Sequence, residues 1–323
     1  MLFIIKKDLL FSKISKIRYF NYILVLISYL ILNSSTNATE LINKNESLCR
    51  TVNNKLIAFG EKPLARELSL LLFEAAEKGC GKVVNKLVEK GVVIDTRDRF
   101  ANTPLMKAAD SGHIEILKFL QKNGGNLNHL NLRGKTALLE AIKKNRKIIV
   151  NYLLSQDVDV NMKSLDNETP LSAAAFVGNL KFVKSLLEKG ADPKLIDDTG
   201  KSAIVYAAAK GFYGIVKILI DNGVNVNERY GNDLTVLMWA SGHTDDTPRK
   251  DATKTIKTLI EFKAKIDLQD NRGMTALMYA AQRNNIDAVD LLLKYGSNKL
   301  LKNKDGLMAI QIATDTKVKG ILE

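Results

Sequence analysis

A spacing of 33 residues constrains this chain more than any other feature. Thr103, Thr136, Thr169, Ser202 and Thr235 follow one another at that interval, and Thr275 comes 40 residues later, so one unit carries seven extra residues. Leu70 and Met308 extend the register at either end. Five residues after each of these eight positions stands an alanine: Ala75, Ala108, Ala141, Ala174, Ala207, Ala240, Ala280 and Ala313. A second series is aliphatic: Val84, Leu117, Val150, Val183, Val216, Ile256 and Val289. Three residues beyond each of these lies a leucine, from Leu87 to Leu292. Such a register describes one supersecondary unit stacked on itself, because a lone unit of this size cannot bury its apolar face.

The residues 102–124 show how one unit folds. Thr103 can cap a helix through its hydroxyl, and Pro104 suits the first helical turn. Ala108 and Ala109 leave room for a close neighbour, and Gly112 permits the turn out of the helix. Ile116, Leu117 and Leu120 give a second helix its apolar face, and Gly124 ends it in the left-handed conformation. Polar, turn-rich segments such as 192–200 join one pair to the next.

Thr103-Pro104-Leu105, Thr169-Pro170-Leu171, the Ala-Ala pairs, Gly190-Ala191-Asp192, and the closing residues Asn128, Asn161 and Asn227 resemble the ankyrin repeat family. The resemblance covers about 66–323. It implies an all-α solenoid of stacked helix-turn-helix units with short hairpin-like loops. It further implies protein binding through the concave face and the loop tips, with no general catalytic residue. This chain departs from the family pattern at the histidine that usually follows Thr-Pro-Leu. Met106, Leu139, Ser172, Val205, Met238 and Met278 stand there, so packing is expected to replace the hydrogen bonds of that histidine. Asp157 and Lys263 replace the helix-ending glycine in two units, where weaker or reshaped ends are expected.

The chain divides into a segment 1–38, a cap or linker 39–66, and a repeat domain 67–323 of about seven repeats with a truncated C-terminal cap. In the first segment five basic residues precede an apolar run, Tyr22 to Leu32, and small polar residues follow, with Thr36-Asn37-Ala38 as a small-x-small cleavage site. That order is the order of a signal peptide, and the apolar run is short of the roughly 20 residues of a spanning helix. The expectation is export to a periplasm or the exterior. The alternative is an uncleaved anchor over residues 19–32, making a membrane-anchored scaffold of the cell envelope. The abundance of Lys, Asn and Ile fits an AT-rich bacterial genome.

Four residues after the capping position, the first helices carry Lys107, Glu140, Ala173, Tyr206, Trp239 and Tyr279. Three successive units thus place Tyr206, Trp239 and Tyr279 in one row, and Trp239 is the only tryptophan. Large aromatic side chains here serve inter-repeat packing, a partner's hot spot, or both. Phe176, Arg272 and Arg283 complete the candidate partner-binding set, together with His243 at the start of the insertion 243–253. His243, Asp245 and Asp246 lack a second ligand pair at metal spacing, so no metal is expected, and no cofactor. Cys49 and Cys80 both follow the cleavage site; in an oxidising compartment they could be bonded, or both could be free thiols.

The net charge of +13 raises nucleic acid as a partner. Residues 1–38 hold five of the bases and one acid, leaving 43 against 34 and a charge of +9. Acids such as Asp166, Glu168, Asp197 and Asp198 interrupt any basic stripe, which disfavours nucleic acid. The remaining charge speaks for solubility and for an acidic partner. No phosphate-binding Gly-Lys loop, His-Glu-x-x-His or Gly-x-Ser-x-Gly is present, so the chain is read as a non-enzyme that binds an unidentified protein.

Overall fold

The computed structural model describes residues 45–60, 63–242 and 249–323. The signal or anchor segment and His243 lie outside the described residues. A helix over residues 45–58 (α1) precedes a series of helix pairs: α2 (Ala65–Lys78) with α3 (Gly81–Glu89), α4 (Pro104–Ser111) with α5 (Ile114–Lys122), and α6 (Ala137–Lys143) with α7 (Lys147–Leu154). Next come α8 (Pro170–Val177) with α9 (Leu180–Glu188), α10 (Ala203–Ala209) with α11 (Tyr213–Asp221), α12 (Val236–Ser241) with α13 (Arg249–Glu261), and α14 (Ala276–Gln282) with α15 (Ile286–Lys294). The short α16 (Ala309–Ile312) and α17 (Thr316–Leu322) follow. Strand structure is almost lacking among the described residues: β1 (Arg229–Tyr230) pairs antiparallel with β2 (Leu234–Thr235), and Ile196 bridges Ser202.

The periodic residues do what their chemistry allows. Thr103, Thr136, Thr169, Thr235 and Thr275 each accept, through the hydroxyl, the N–H of the residue three positions on, at 3.1–3.3 Å. The alanine series is at most 2% exposed, and these small side chains let first helix lie on first helix. First helices contact one another more extensively than most second helices do, so the stack curves with its first helices on the inside.

The third helical position behaves differently from the expectation of packing alone. Ser172 Oγ accepts the Thr169 N–H at 3.0 Å, and the thioethers of Met238 and Met278 receive those of Thr235 and Thr275 at 3.3 and 3.5 Å. These side chains restore a bond to the capping residue, weakly where sulfur is the acceptor. The two helix ends without glycine also diverge. Lys263 keeps the left-handed turn at φ +67°, with Ala264 N–H reaching Leu259 O at 3.0 Å. Asp157 does not adopt positive φ, and its end is reshaped around a Val158 N–H to Gln156 O bond of 3.1 Å.

Loops join the units by two ladders. At the hairpin tips the N–H groups of Leu132, Leu165, Asp198, Gly231, Asn271 and Lys304 donate to carbonyls of the preceding hairpin, at 2.9–3.3 Å. Nearer the second helices, side chains 33 or 40 residues apart repeat one contact. Asp95, Asn128, Asn161, Asn227 and Asp267 accept the N–H groups of Asn126, Asp159, Asp192, Lys265 and Asn298 at 2.7–3.2 Å. Lys194 occupies this register position in the fifth unit and has no acceptor to offer.

At the N-terminal end, α1 buries Val52 and Leu56 in the common core. Lys55 Nζ pairs with Glu74 at 2.9 Å, and Lys86 Nζ donates to Asn53 at 3.0 Å. A disulfide joins Cys49 on α1 to Cys80 at the start of α3, with Cα atoms 5.2 Å apart.

Candidate functional site

Five of the hairpins are organised by one Asp or Asn at the base. Asp98, Asn131, Asp197, Asp270 and Asn303 each accept, through Oδ1, the N–H groups two and four residues on, at 2.8–3.2 Å. Such an Asx turn leaves the second oxygen of each aspartate facing the inner surface of the first helices. Tyr206, nine residues after Asp197, donates its hydroxyl to Oδ2. Tyr279, nine residues after Asp270, does the same at 2.7 Å, and Arg272 Nη2 donates to the Tyr279 hydroxyl at 2.6 Å.

The inner row has two chemically distinct halves. Its first part is charged and neutralises itself. Glu74 takes Lys55 and Lys78; Lys107 faces Asp98 at 3.6 Å and Glu77 at 4.0 Å; Glu140 meets Lys135 at 3.4 Å; and Lys143 holds Glu168 at 2.8 Å. Ala173 is the divide. Beyond it the row is aromatic, with cations over the rings. The Phe176 and Tyr206 rings meet edge to face at 5.7 Å. Lys210 Nζ sits 4.4 Å from the Phe176 centroid, and Lys201 Nζ 5.2 Å from Trp239 and 5.9 Å from Tyr206. Neither lysine has an ion-pair partner among the described residues.

The candidate residues differ in availability. Phe176 is 49% exposed, and Tyr206 and Trp239 are half-buried. Trp239 Nε1–H is buried and has no acceptor among the described residues. Tyr279 is 9% exposed and committed to Asp270, so it supports the row from beneath. Arg272 is exposed but tied to Tyr279 and to Asp270 at 3.6 Å. Arg283 is exposed at the end of α14. His243 lies outside the described residues.

Electrostatics follow the contacts. Burial together with the Asp197 carboxylate pushes the Tyr206 hydroxyl up to about 12. Burial, then the bond to Asp270, raises Tyr279 as well. Burial alone would raise Asp197, but the hydrogen bonds from Thr199, Tyr206 and the backbone hold its carboxyl below the usual range. Asn102, Phe100 and Lys107 do the same for Asp98.

Of the two inner-face lysines of the fifth unit, Lys210 is legible on the helix side, while Lys201 is hidden from a residue-by-residue reading. Lys201 looks like a loop residue, and only its register, between Tyr206 and Trp239 of the next unit, could have signalled its place. Away from this face, an open cavity of about 690 Å³ lies between loops, lined by Lys194, Ile196, Asn225, Arg229 and Asn232. Among the described residues no cluster of His, Cys, Asp and Glu could hold a metal, and no helix is long and apolar enough to cross a membrane.

Comparison with known proteins agrees with this architecture. A family model for ankyrin repeats (3 copies) matches residues 72–166, 149–230 and 171–248, and one for ankyrin repeats (many copies) matches 259–313. The chain belongs to the ankyrin repeat family. Among the solved structures that are similar is the human ASB11 ankyrin repeat domain. It is 28% identical, with a TM-score of 0.61, over 68% of this chain and 96% of that one. No curated protein sequence matches significantly.

Proposed function

We propose that this chain is an exported protein-interaction module whose docking surface is the inner face of the fourth to seventh units. The observation that carries the reading is the run Phe176–Tyr206–Trp239 from three successive units, in which the first two rings meet edge to face and Lys201 lies over both Tyr206 and Trp239. Aromatic groups on a rigid scaffold give contact area with little ordering cost. Packing alone does not require Phe176 to stay half exposed or two lysines to cover the rings. The family fold is typically a non-enzymatic interaction module, which is consistent with this use.

Export is supported by the basic–apolar–small order of residues 1–38 and by the bonded Cys49–Cys80 pair, a form that persists in oxidising compartments. Residues 19–32 as an uncleaved anchor would instead make a scaffold of the envelope. The intact mass of the chain purified from its native cell decides: loss of about 38 residues' mass supports a cleaved signal peptide, and a full-length membrane-bound species supports the anchor. For the docking face, the test is capture of partners by the wild type against a Tyr206→Ala, Trp239→Ala double variant. Equal capture by both removes the inner face from the proposal.

A further inference from the structure

We infer that the aromatic half of the inner face takes an acidic, extended segment of a partner protein, with Lys201 and Lys210 meeting its carboxylates. This rests on the docking face proposed above and adds the chemistry of the occupant.

The inference comes from comparing the two halves of one surface. In the first half most inner-face cations are neutralised: Lys55 and Lys78 share Glu74, Lys107 faces Asp98, Lys135 meets Glu140 and Lys143 holds Glu168, while Lys144, at the register position of Lys210, is exposed with neither an ion pair nor a ring contact among the described residues. In the second half the carboxylates are spent internally. Asp197 is consumed by its hairpin and Tyr206, and Asp270 by its hairpin, Tyr279 and Arg272. Lys201 and Lys210 are left over rings, and Arg283 is left exposed without an ion pair among the described residues. A cation held over a ring keeps that modest attraction when a carboxylate arrives, so a partner's acid adds to it instead of competing. The rings between the lysines offer apolar contact to the stems of the same segment. A phosphate backbone would meet the same lysines, so a single-stranded nucleic acid is the rival outcome of the test.

The sole tryptophan lies inside the proposed site, so its emission reports occupancy directly. The probes are an oligoglutamate peptide, its oligoglutamine counterpart and a single-stranded oligothymidylate, each titrated into the purified repeat protein at low salt. The expected result is saturable change in Trp239 emission with oligoglutamate, at least about tenfold tighter than with oligoglutamine, and weakening as salt rises. Lys201→Gln with Lys210→Gln should weaken oligoglutamate binding by about tenfold or more. Lys118→Gln removes a comparable cation–ring contact, with Tyr152 on the outer helices, and should leave binding unchanged. Thermal melts of each variant confirm folding. Equal binding of oligoglutamate and oligoglutamine, tighter binding of oligothymidylate, or insensitivity to the Lys201 and Lys210 changes overturns the inference. If Tyr206→Ala, Trp239→Ala loses a captured partner that the lysine variants retain, the docking face stands and the acidic requirement falls.

Discussion

The Tyr279 hydroxyl lies 2.7 Å from Oδ2 of Asp270, the same carboxylate whose Oδ1 shapes the hairpin nine residues earlier. One aspartate therefore fixes both a loop tip and the inner-face ring of its own unit, as Asp197 does for Tyr206. The two roles separate by mutation. Tyr279→Phe removes the hydroxyl's bond to Asp270 and the one it accepts from Arg272, and should cost about 1.5–3 kcal/mol. Asp270→Ala also strands the N–H groups of Arg272 and Met274 and should cost more. Urea unfolding of the two variants checks the order, and a Tyr279→Phe loss equal to or above that of Asp270→Ala contradicts it.

Acid should attack these same braces. Asp98 and Asp197 are held below the ordinary carboxylate range in the folded chain. Their contribution is complete above the unfolded value of about 3.9 and is lost as pH falls through their lower folded values. Melting temperature should decline on acidification below about pH 4, and Asp197→Asn should start lower yet decline less. A parallel decline in both proteins would show that Asp197 is not a titrating brace.

The periodic part of this architecture was legible because it is dictated by steric rules that every unit obeys. Thr103 and its equivalents cap, Ala108 and its equivalents permit close approach, and Leu117 and Leu120 fill the core. What escaped was decided by local contacts that the register does not show. Tyr230 stands where other hairpins have an Asx or serine, and the loop answers with paired strands and left-handed Asn232 and Asp233. The sequence shows the odd residue but not the geometry that relieves it. Likewise, the row Tyr206–Trp239–Tyr279 could be read from register, but Tyr279 sinks against Asp270 while Phe176 stays out. Tyr206 makes the same bond to Asp197 and stays half-buried, so the bond alone does not set burial along the row.

The gap at Lys194 gives a stabilising change. Five equivalent positions carry Asp or Asn that accept an N–H of the next unit, and Asn161 does so for Asp192 at 2.8 Å. Lys194→Asn should install the missing contact toward Asn225 and stabilise by about 0.5–1.5 kcal/mol, while Asn161→Ala should destabilise by a similar amount. Denaturant midpoints at matched slopes measure both. A lower midpoint for Lys194→Asn would mean the fifth interface is shaped around the lysine.

Lys263 ends α13 at φ +67°, a conformation that costs a residue with a Cβ about 1–2 kcal/mol. Glycine removes that strain and gives part of it back through greater freedom in the unfolded chain. Lys263→Gly should therefore stabilise by about 0.5–1 kcal/mol. The same substitution at Asp157, which does not have positive φ, should bring no such gain. Paired thermal melts of the two variants test the contrast, and equal shifts would remove backbone strain as the cause.

The Cys49–Cys80 bond ties α1 to the first full pair across 31 residues of sequence. Closing a loop of that length restricts the unfolded chain by roughly 3–4 kcal/mol at ordinary temperature. A stack of units need not lose this uniformly, because each repeat answers mainly to its neighbours. Reduction, or a Cys49→Ser, Cys80→Ser variant, should therefore loosen α1 and α2 while the central units hold. Hydrogen exchange followed by peptide mapping should show faster exchange over residues 45–60 and 63–78, with residues 137–188 unchanged. Uniform acceleration along the chain would show that the bridge stabilises the whole stack as one cooperative body, and no change at all would show that Val52 and Leu56 hold the cap without it.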